Sequence, residues 1–337
     1  MTARTSRLAR LSRRAGIPAV AAVAAGALLS GCGLQTSGGF LPSAKLAGPE
    51  KDVKRMDGLN IAVGSKNFSE QILLGKIAGI LLQANGAKVK DLTNIPGSNS
   101  ARQAQLSGQI DLEWEYTGTA WISYLGHENG IPDRNEQYTK VRDQDLKENK
   151  LAWLKPAPMN NTYGFATTQA TAKRLGITKL SDLGKVPAKD RTFCVESEFA
   201  SRNDGFEPML KRYGVPLGSG VPRGNVKTLD TGAIYEATAQ GQCNFGEVYT
   251  TDGRIQSLNL KVMQDDRKFF PAYNVAVVVR QPVLSKNPEI EKLFTPVAAK
   301  LDDTTLRHLN ARIDVNGEDP SKVAMDWLVQ EGFVKRA

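Results

Sequence analysis

The chain has few of the residues that build metal centres and covalent active sites. Its 337 residues include three cysteines and two histidines, His127 and His308. With no cluster of cysteine and histidine, we expect no structural zinc, no other metal ion and no cofactor. The sequence also lacks the G-x-S-x-G elbow of hydrolases, a phosphate-binding loop and the G-x-G-x-x-G turn of dinucleotide sites. These absences argue against several common classes of enzyme.

The positive charge is unevenly distributed and forms no basic stripe. Five arginines and no acidic residue precede Cys32, and they supply more than half of the net charge of +9. The rest of the chain is only mildly basic, without the clustered Lys/Arg face that binding to nucleic acid requires. Hydrophobic content of 41% and charged content of 23% are ordinary for a globular protein. Nucleic acid is therefore not an expected partner.

Long apolar runs are scarce as well, and the clearest one lies near the start of the chain. The arginines lead into apolar residues 17–29, a run that is short for a transmembrane helix. This order is typical of a signal peptide, which we assign to residues 1–31, with the general and the twin-arginine export routes both open. Leu29-Ser30-Gly31-Cys32 matches a lipobox, so Cys32 is the expected lipidation site. We expect an extracytoplasmic protein held at the cell membrane by acyl chains.

The two remaining cysteines are candidates for a disulfide. Cys194 and Cys243 each lie just before or within a predicted strand, and neighbouring strands would bring them close together. An exported protein folds in an oxidising compartment, which makes a bond between them plausible. Two separately buried thiols are the alternative.

Alternating strand and helix patterns predict an α/β fold in two lobes. Residues 32–57 are rich in Gly, Ser, Pro and Lys, which is typical of a flexible tether. Strand and helix patterns then alternate over residues 59–125, an order that implies parallel strands with right-handed crossovers. Residues 156–158 mark a crossing to a second lobe, and residues 269–272 a crossing back. We assign residues 58–160 and 272–337 to lobe 1, and residues 161–271 to lobe 2.

The loop after the first predicted strand carries clear local signals. Asn67 is followed three residues later by Glu70, a spacing that predicts a capping box at the start of a helix. Apolar residues then recur at helical spacing to about residue 84, and Asn85-Gly86 ends the helix.

The stretch from Glu113 to Trp121 organises the prediction of a site. It follows a buried strand and precedes a helical pattern, and ligands collect at such places in α/β folds. Tyrosines recur at strand ends or loop entries, and they are Tyr116, Tyr163, Tyr249 and Tyr273. Aromatic faces that converge on one point suit a quaternary ammonium group, which cannot donate hydrogen bonds. We therefore predict a cage for a small cationic ligand.

Lys66, Arg202 and Thr119 are the candidate partners of a carboxylate on that ligand. A guanidinium binds a carboxylate with two hydrogen bonds, and a lysine adds a point charge. Thr119, near a helix start, offers a hydroxyl and a backbone N–H. Glu113 and Glu115 share one face of a strand, and an acid/base pair at this position would instead indicate an enzyme.

Five ordered motifs resemble one known family. They are Gly64–Gln71 (GSKNFSEQ), Glu115–Thr119 (EYTGT), Asn161–Tyr163 (NTY), Tyr249–Arg254 (YTTDGR) and Phe270–Asn274 (FPAYN). In these motifs the chain resembles the glycine betaine/carnitine/choline-binding proteins of osmoprotectant ABC importers, the OpuAC-like proteins, over nearly all of its length from Leu59. The resemblance implies a type II periplasmic-binding-protein fold, with two lobes, two hinge crossings and a ligand cleft between the lobes.

The resemblance also implies roles for the candidate residues. The four tyrosines would form an aromatic box, and Lys66, Thr119 and Arg202 would hold the ligand carboxylate. The expected function is capture of glycine betaine, choline, carnitine or proline betaine by a monomer that delivers the ligand to an ABC permease and its ATPase, without a chemical step. The alternatives are a binding protein for an amino acid or ectoine, an extracellular enzyme that uses Glu113 or Glu115, and a sensor domain.

Overall fold

The computed structural model describes residues 41–131 and 133–337, and strands and helices are numbered here in chain order. The strands are β1 (Ala44–Leu46), β2 (Asn60–Lys66), β3 (Lys88–Ile95), β4 (Leu112–Tyr116), β5 (Leu151–Trp153), β6 (Tyr163–Thr168), β7 (Phe193–Val195), β8 (Val226–Thr228), β9 (Phe245–Tyr249), β10 (Leu260–Val262), β11 (Val275–Arg280) and β12 (Val334–Arg336).

The α-helices follow the same numbering. They are α1 (Ser69–Ala84), α2 (Ser98–Leu106), α3 (Thr117–Thr119), α4 (Arg134–Asn149), α5 (Gln169–Leu175), α6 (Ser197–Ser201), α7 (Phe206–Arg212), α8 (Thr231–Ala239), α9 (Arg254–Ser257), α10 (Gln281–Lys286), α11 (Glu289–Ala299), α12 (Asp303–Asp314) and α13 (Pro320–Gln330). A π-helical turn over Ala120–Tyr124 continues α3. Short 3-10 helices cover Gly48–Asp52, Leu180–Lys185, Ala188–Asp190 and Arg223–Asn225. Across the described part of the chain, no helix combines the length and the apolar character needed to span a bilayer.

The first sheet has the strand order β3-β2-β4-β11-β5. Strand β2 runs parallel to β3 and β4, as the alternating pattern predicts, whereas β11 returns late in the chain and pairs antiparallel with β4 and β5. Helix α1 packs on this sheet and is buried along almost its whole length, because its sequence is apolar on nearly every side. A Cβ atom at Gly75 of α1 would lie 2.5 Å from the Thr93 Cγ2 atom, so only glycine permits this close approach.

The second sheet has the strand order β10-β6-β9-β7-β8. Strand β6 pairs antiparallel with β9 and β10, while β7 runs parallel to β8 and β9. Its core is rich in phenylalanine: the rings of Phe193 and Phe245 stack with centroids 5.1 Å apart, and Phe206 meets Phe193 edge-on at 5.1 Å. The two-sheet α/β architecture that the sequence predicts is thus confirmed.

A disulfide joins Cys194 in β7 to Cys243, two residues before β9. Because β7 and β9 are neighbouring parallel strands, their pairing brings the two cysteines together. Both side chains are buried beside Ile234 of α8. The structure therefore contains the disulfide and not two separately buried thiols.

Part of the segment that the sequence predicts to be a flexible tether, residues 32–57, belongs to the folded body. Strand β1 pairs antiparallel with β12, and Leu41, Ala47 and Met56 are buried, so the folded body begins upstream of residue 58. The Gly, Pro and Lys residues of this stretch suggest flexibility, but Leu41 and Met56 belong to the core of the first sheet, with Leu41 beside Gly79 of α1, and Ala47 donates its backbone N–H to Phe333. The predicted signal peptide and the predicted lipidation site Cys32 lie outside the described residues.

Candidate functional site

A cavity of about 730 Å³ opens between loops that follow strands of the two sheets. On the side of the first sheet it is lined by Lys66–Ser69 at the carboxyl end of β2, by the start of α2, and by Tyr116 and Thr119 at the carboxyl end of β4. Because β2 and β4 are parallel, their carboxyl ends meet at one edge, where ligands collect in α/β folds. On the other side it is lined by Tyr163, Glu196, Ser197, Glu198, Ser201, Asp230, Thr231, Gly232, Tyr249 and Arg254, with Tyr273 between the two sheets.

All four predicted tyrosines line this cavity, and their rings form a connected group. The ring centroid of Tyr163 lies 5.4 Å from that of Tyr249 and 5.4 Å from that of Tyr273. Phe68 links Tyr116 to the others, with centroids 6.1 Å from Tyr116 and 5.4 Å from Tyr249. We call these five side chains the aromatic box. Phe68 lies within the first of the five family motifs, but sequence reasoning gave it no role.

Strand register explains why the box residues converge. Tyr163, the first residue of β6, is paired directly with Tyr249, the last residue of β9. In the first sheet, Tyr116 ends β4 opposite Val275 of β11, and Tyr273 lies two residues before that position. Positions at strand ends, which are visible in the sequence, therefore become neighbours through pairing that the sequence does not specify.

The box tyrosines stay protonated over the physiological pH range. Burial raises the pKa of Tyr116, Tyr163, Tyr249 and Tyr273, and nearby acidic groups such as Glu70 and Asp204 add to the shift at Tyr116 and Tyr273. Neutral phenol rings present an electron-rich face to the cavity, and that face attracts cations. The arrangement is therefore suited to a methylated ammonium group.

Lys66 and Thr119 reach the cavity, and Lys66 is already paired. Its Nζ atom lies 2.6 Å from Oε1 of Glu115 and 4.9 Å from the ring centroid of Tyr116. The second carboxylate oxygen of Glu115 accepts a hydrogen bond from the Tyr124 hydroxyl at 2.7 Å. The Lys66 charge at the cavity wall is therefore partly neutralised by a buried acid.

Arg202 is not among the residues that line the cavity. Its Nε and Nη2 atoms donate to the two carboxylate oxygens of Asp204 at 2.6 and 2.8 Å. The guanidinium lies beside the box, 5.4 Å from the Tyr163 centroid and 6.0 Å from the Tyr273 centroid. Arg254 ends the fourth family motif, but sequence reasoning gave it no role; it lines the cavity and is bound to Asp252.

Glu113 and Glu115 do not form a shared acid/base site. Glu115 is committed to Lys66 and Tyr124, whereas neither carboxylate oxygen of Glu113 accepts a hydrogen bond from any residue that the structure describes. Burial, and secondarily the charge of Glu115, raises the pKa of Glu113 to about 8. Glu113 is fully buried and does not line the cavity.

The buried Glu113 is expected to make stability depend on pH. The folded state holds this proton up to about pH 8, while an unfolded chain releases it near 4.5. The folded state therefore binds one extra proton in this window, and the free energy of unfolding falls as pH rises, by up to about 1.4 kcal/mol per pH unit. Urea unfolding of wild type and Glu113→Gln at pH 5, 6.5 and 8 measures this slope. The slope should be smaller in Glu113→Gln and unchanged in Glu236→Gln, a variant at an exposed position; equal slopes in all three proteins would contradict the prediction.

A cavity between two α/β sheets, walled by aromatic side chains from both, defines a two-lobed solute-binding protein of the type II periplasmic class. The family model OpuAC, described as the substrate binding domain of ABC-type glycine betaine transport systems, matches residues 60–330. The chain belongs to this family.

Curated relatives and a solved structure agree with this assignment. The chain is 40% identical over 276 residues to a glycine-betaine-binding protein of Pseudomonas aeruginosa, covering 80% of this chain and 86% of that protein. It is 36% identical over 284 residues to the glycine betaine-binding protein YehZ of Escherichia coli, covering 82% and 92%. The apo structure of YehZ from Escherichia coli superimposes with a TM-score of 0.61 at 33% identity, covering 81% of this chain and 99% of that one.

Proposed function

We propose that this protein is the extracytoplasmic substrate-binding component of an ABC importer, and that it captures quaternary-ammonium compatible solutes. Glycine betaine, choline, carnitine and proline betaine are the candidate ligands. The supporting observation is the aromatic box, in which rings from both sheets line one cavity. Each desolvated cation–π contact contributes on the order of 0.5–2 kcal/mol, so several together support binding in about the micromolar range after the costs of association.

The carboxylate of a betaine is assigned to Lys66, Thr119 and Arg202. Lys66 and Thr119 line the cavity, and the Arg202 guanidinium lies against the rings of two box tyrosines. Binding requires no covalent step: of the two candidate acids, Glu115 is already engaged by Lys66 and Tyr124, and Glu113 does not line the cavity.

Closure of two lobes around the ligand is the proposed working cycle. Lobe 1 comprises residues 58–160 and 272–337 together with the packed segment from Leu41 that precedes them, and lobe 2 comprises residues 161–271. A contact already joins them: Oε2 of Glu198 accepts a hydrogen bond from the backbone N–H of Ser98, the first residue of α2, at 3.0 Å. A ligand that touches both lobes favours the closed form, which the permease would recognise.

The protein is proposed to act as a monomer tethered to the membrane. Residues 1–31 would direct export and be removed, and Cys32 would carry the acyl chains that keep the protein close to its permease. Because Cys32 would be the acylated residue, metabolic labelling with a fatty-acid analogue should mark the wild-type protein and leave Cys32→Ala unlabelled.

Isothermal titration calorimetry tests the ligand class. Glycine betaine, choline, carnitine and proline betaine are titrated into the protein, with proline, glutamate and ectoine as alternative ligands. Binding of at least one quaternary ammonium compound at about micromolar affinity is expected. Heat with an amino acid or ectoine, and none with any quaternary ammonium compound, would overturn the proposal.

A further inference from the structure

Two of the box tyrosines donate their hydroxyl protons to buried carboxylates. Tyr116 donates to Oε1 of Glu70 at 2.6 Å, and Tyr273 donates to Oδ2 of Asp204. Among the residues that the structure describes, no carboxylate accepts the hydroxyl proton of Tyr163 or Tyr249. The box therefore contains two kinds of tyrosine.

Glu70 is the acceptor of four hydrogen bonds from four separate segments. Besides Tyr116, its donors are the side chains of Asn161 at 2.9 Å, Thr251 at 2.6 Å and Asn310 at 2.9 Å, two donors to each oxygen. Burial raises the pKa of Glu70. The four hydrogen bonds act in the opposite direction, because each one stabilises the ionised carboxylate and together they fill its four acceptor positions. The contacts therefore favour the ionised form.

Asp204 also has the contacts of an ionised carboxylate. It is 5% exposed, and both of its oxygens accept hydrogen bonds from the guanidinium of Arg202. The Tyr273 hydroxyl adds a third donor. Each of these two tyrosines thus makes a charge-assisted hydrogen bond in a buried setting, where such bonds are strong.

A phenol that donates to a carboxylate has a more negative oxygen and ring. Hydrogen bonds to charged acceptors polarise their donors, and the effect is larger where the local dielectric is low. The attraction between a cation and an aromatic ring depends on the negative charge of the ring face. Donation to Glu70 or Asp204 should therefore strengthen cation binding at Tyr116 and Tyr273 beyond what ring shape alone provides.

We propose that Glu70 and Asp204 are positioning residues that polarise Tyr116 and Tyr273, and that they set the preference of the box for a cationic head group over a neutral one of the same shape. This inference rests on the proposed function, because it concerns the same site. The inference predicts an effect on selectivity. The carboxylates should strengthen binding of a charged ligand only, whereas the rings also provide contact area for a neutral one.

The experiment compares choline with 3,3-dimethylbutan-1-ol, in which carbon replaces the charged nitrogen. Dissociation constants are measured for wild type, Tyr116→Phe, Glu70→Gln and the double variant. Loss of polarisation should weaken choline binding by about fivefold in each single variant and change dimethylbutanol binding by less than about twofold. In the Tyr116→Phe background, Glu70→Gln should have no further selective effect on choline, because the hydroxyl through which it acts is gone.

Tyr249→Phe is the matched control, because it removes a box hydroxyl that donates to no carboxylate of the described residues. It should leave the ratio of the two dissociation constants unchanged. The inference would be overturned if Tyr116→Phe weakened choline and dimethylbutanol binding equally. It would also be overturned if Tyr249→Phe changed the ratio of the two dissociation constants as much as Tyr116→Phe does. Neither result depends on whether Glu70→Gln folds. If wild type binds no quaternary ammonium compound, the proposed function fails as well; if wild type binds choline but the ratio never moves, only this inference fails.

Discussion

Replacing Tyr163 with leucine is expected to weaken glycine betaine binding by roughly 10- to 100-fold, equivalent to about 1.4–2.8 kcal/mol. Tyr163 is central to the box, with ring centroids 5.4 Å from both Tyr249 and Tyr273 and 4.6 Å from Phe199. Leucine removes a cation-binding face and takes one aromatic contact from each neighbouring ring. Calorimetric titration of both proteins with glycine betaine measures the change.

Two further variants separate a lost ring face from general damage. Tyr163→Phe keeps the ring and should retain affinity within about fivefold of wild type. Tyr138→Leu alters a partly buried tyrosine on α4, outside the cavity, and should bind glycine betaine as wild type does. Comparable losses in Tyr138→Leu and Tyr163→Leu, or an unchanged affinity in Tyr163→Leu, would be inconsistent with the box.

Removing the disulfide is expected to lower the free energy of unfolding by about 4 kcal/mol. Cys194 and Cys243 are separated by 49 residues, so the bond closes a long loop and restricts the unfolded chain strongly. The variant replaces both cysteines with alanine, and guanidinium unfolding at equilibrium measures the difference.

The reduced wild-type protein provides the control for the disulfide prediction. It retains both side-chain volumes but lacks the bond, so it should lose most of the same stability. Packing differences between cysteine and alanine, both small, should account for the remainder. A loss below about 1 kcal/mol on reduction would indicate that the bond contributes little to stability.

Much of the site could be predicted because its residues carry local signals. Tyr116 and Tyr249 follow short buried strands, and both are the last residues of strands in the structure. Strand ends are readable from hydrophobic runs and from the turn residues that follow them. The five family motifs then indicated that these separate strand ends belong to one site, which the pattern alone could not establish.

Glu70 shows where local signals mislead. Its spacing from Asn67 predicts a capping box, but α1 begins at Ser69 after Phe68 and no side chain caps it. The carboxylate binds instead to partners 46, 91, 181 and 240 residues away along the chain. These contacts depend on tertiary packing, so no short-range pattern could have revealed them.

Arg202 is a different case, because its partner is close in sequence. Asp204, two residues later, accepts hydrogen bonds from Nε and Nη2 of the guanidinium that sequence reasoning assigned to a ligand, and Glu198 accepts one from Nη1. A nearby acid is visible in the sequence, but whether it pairs depends on the backbone turn at Gly205. A Cβ atom at Gly205 would lie 1.9 Å from the Phe199 carbonyl oxygen, so this turn requires glycine.

The pairing of β1 with β12 has a mechanical consequence. Strand β1 forms a separate two-stranded sheet with β12, and neither strand supplies a residue to the cavity wall. A pulling force applied upstream of Leu41 would be taken up by the packing of Leu41 against α1 and by this small sheet. Part of a pull on the N-terminal segment would therefore be borne by strands that supply no residue to the cavity wall.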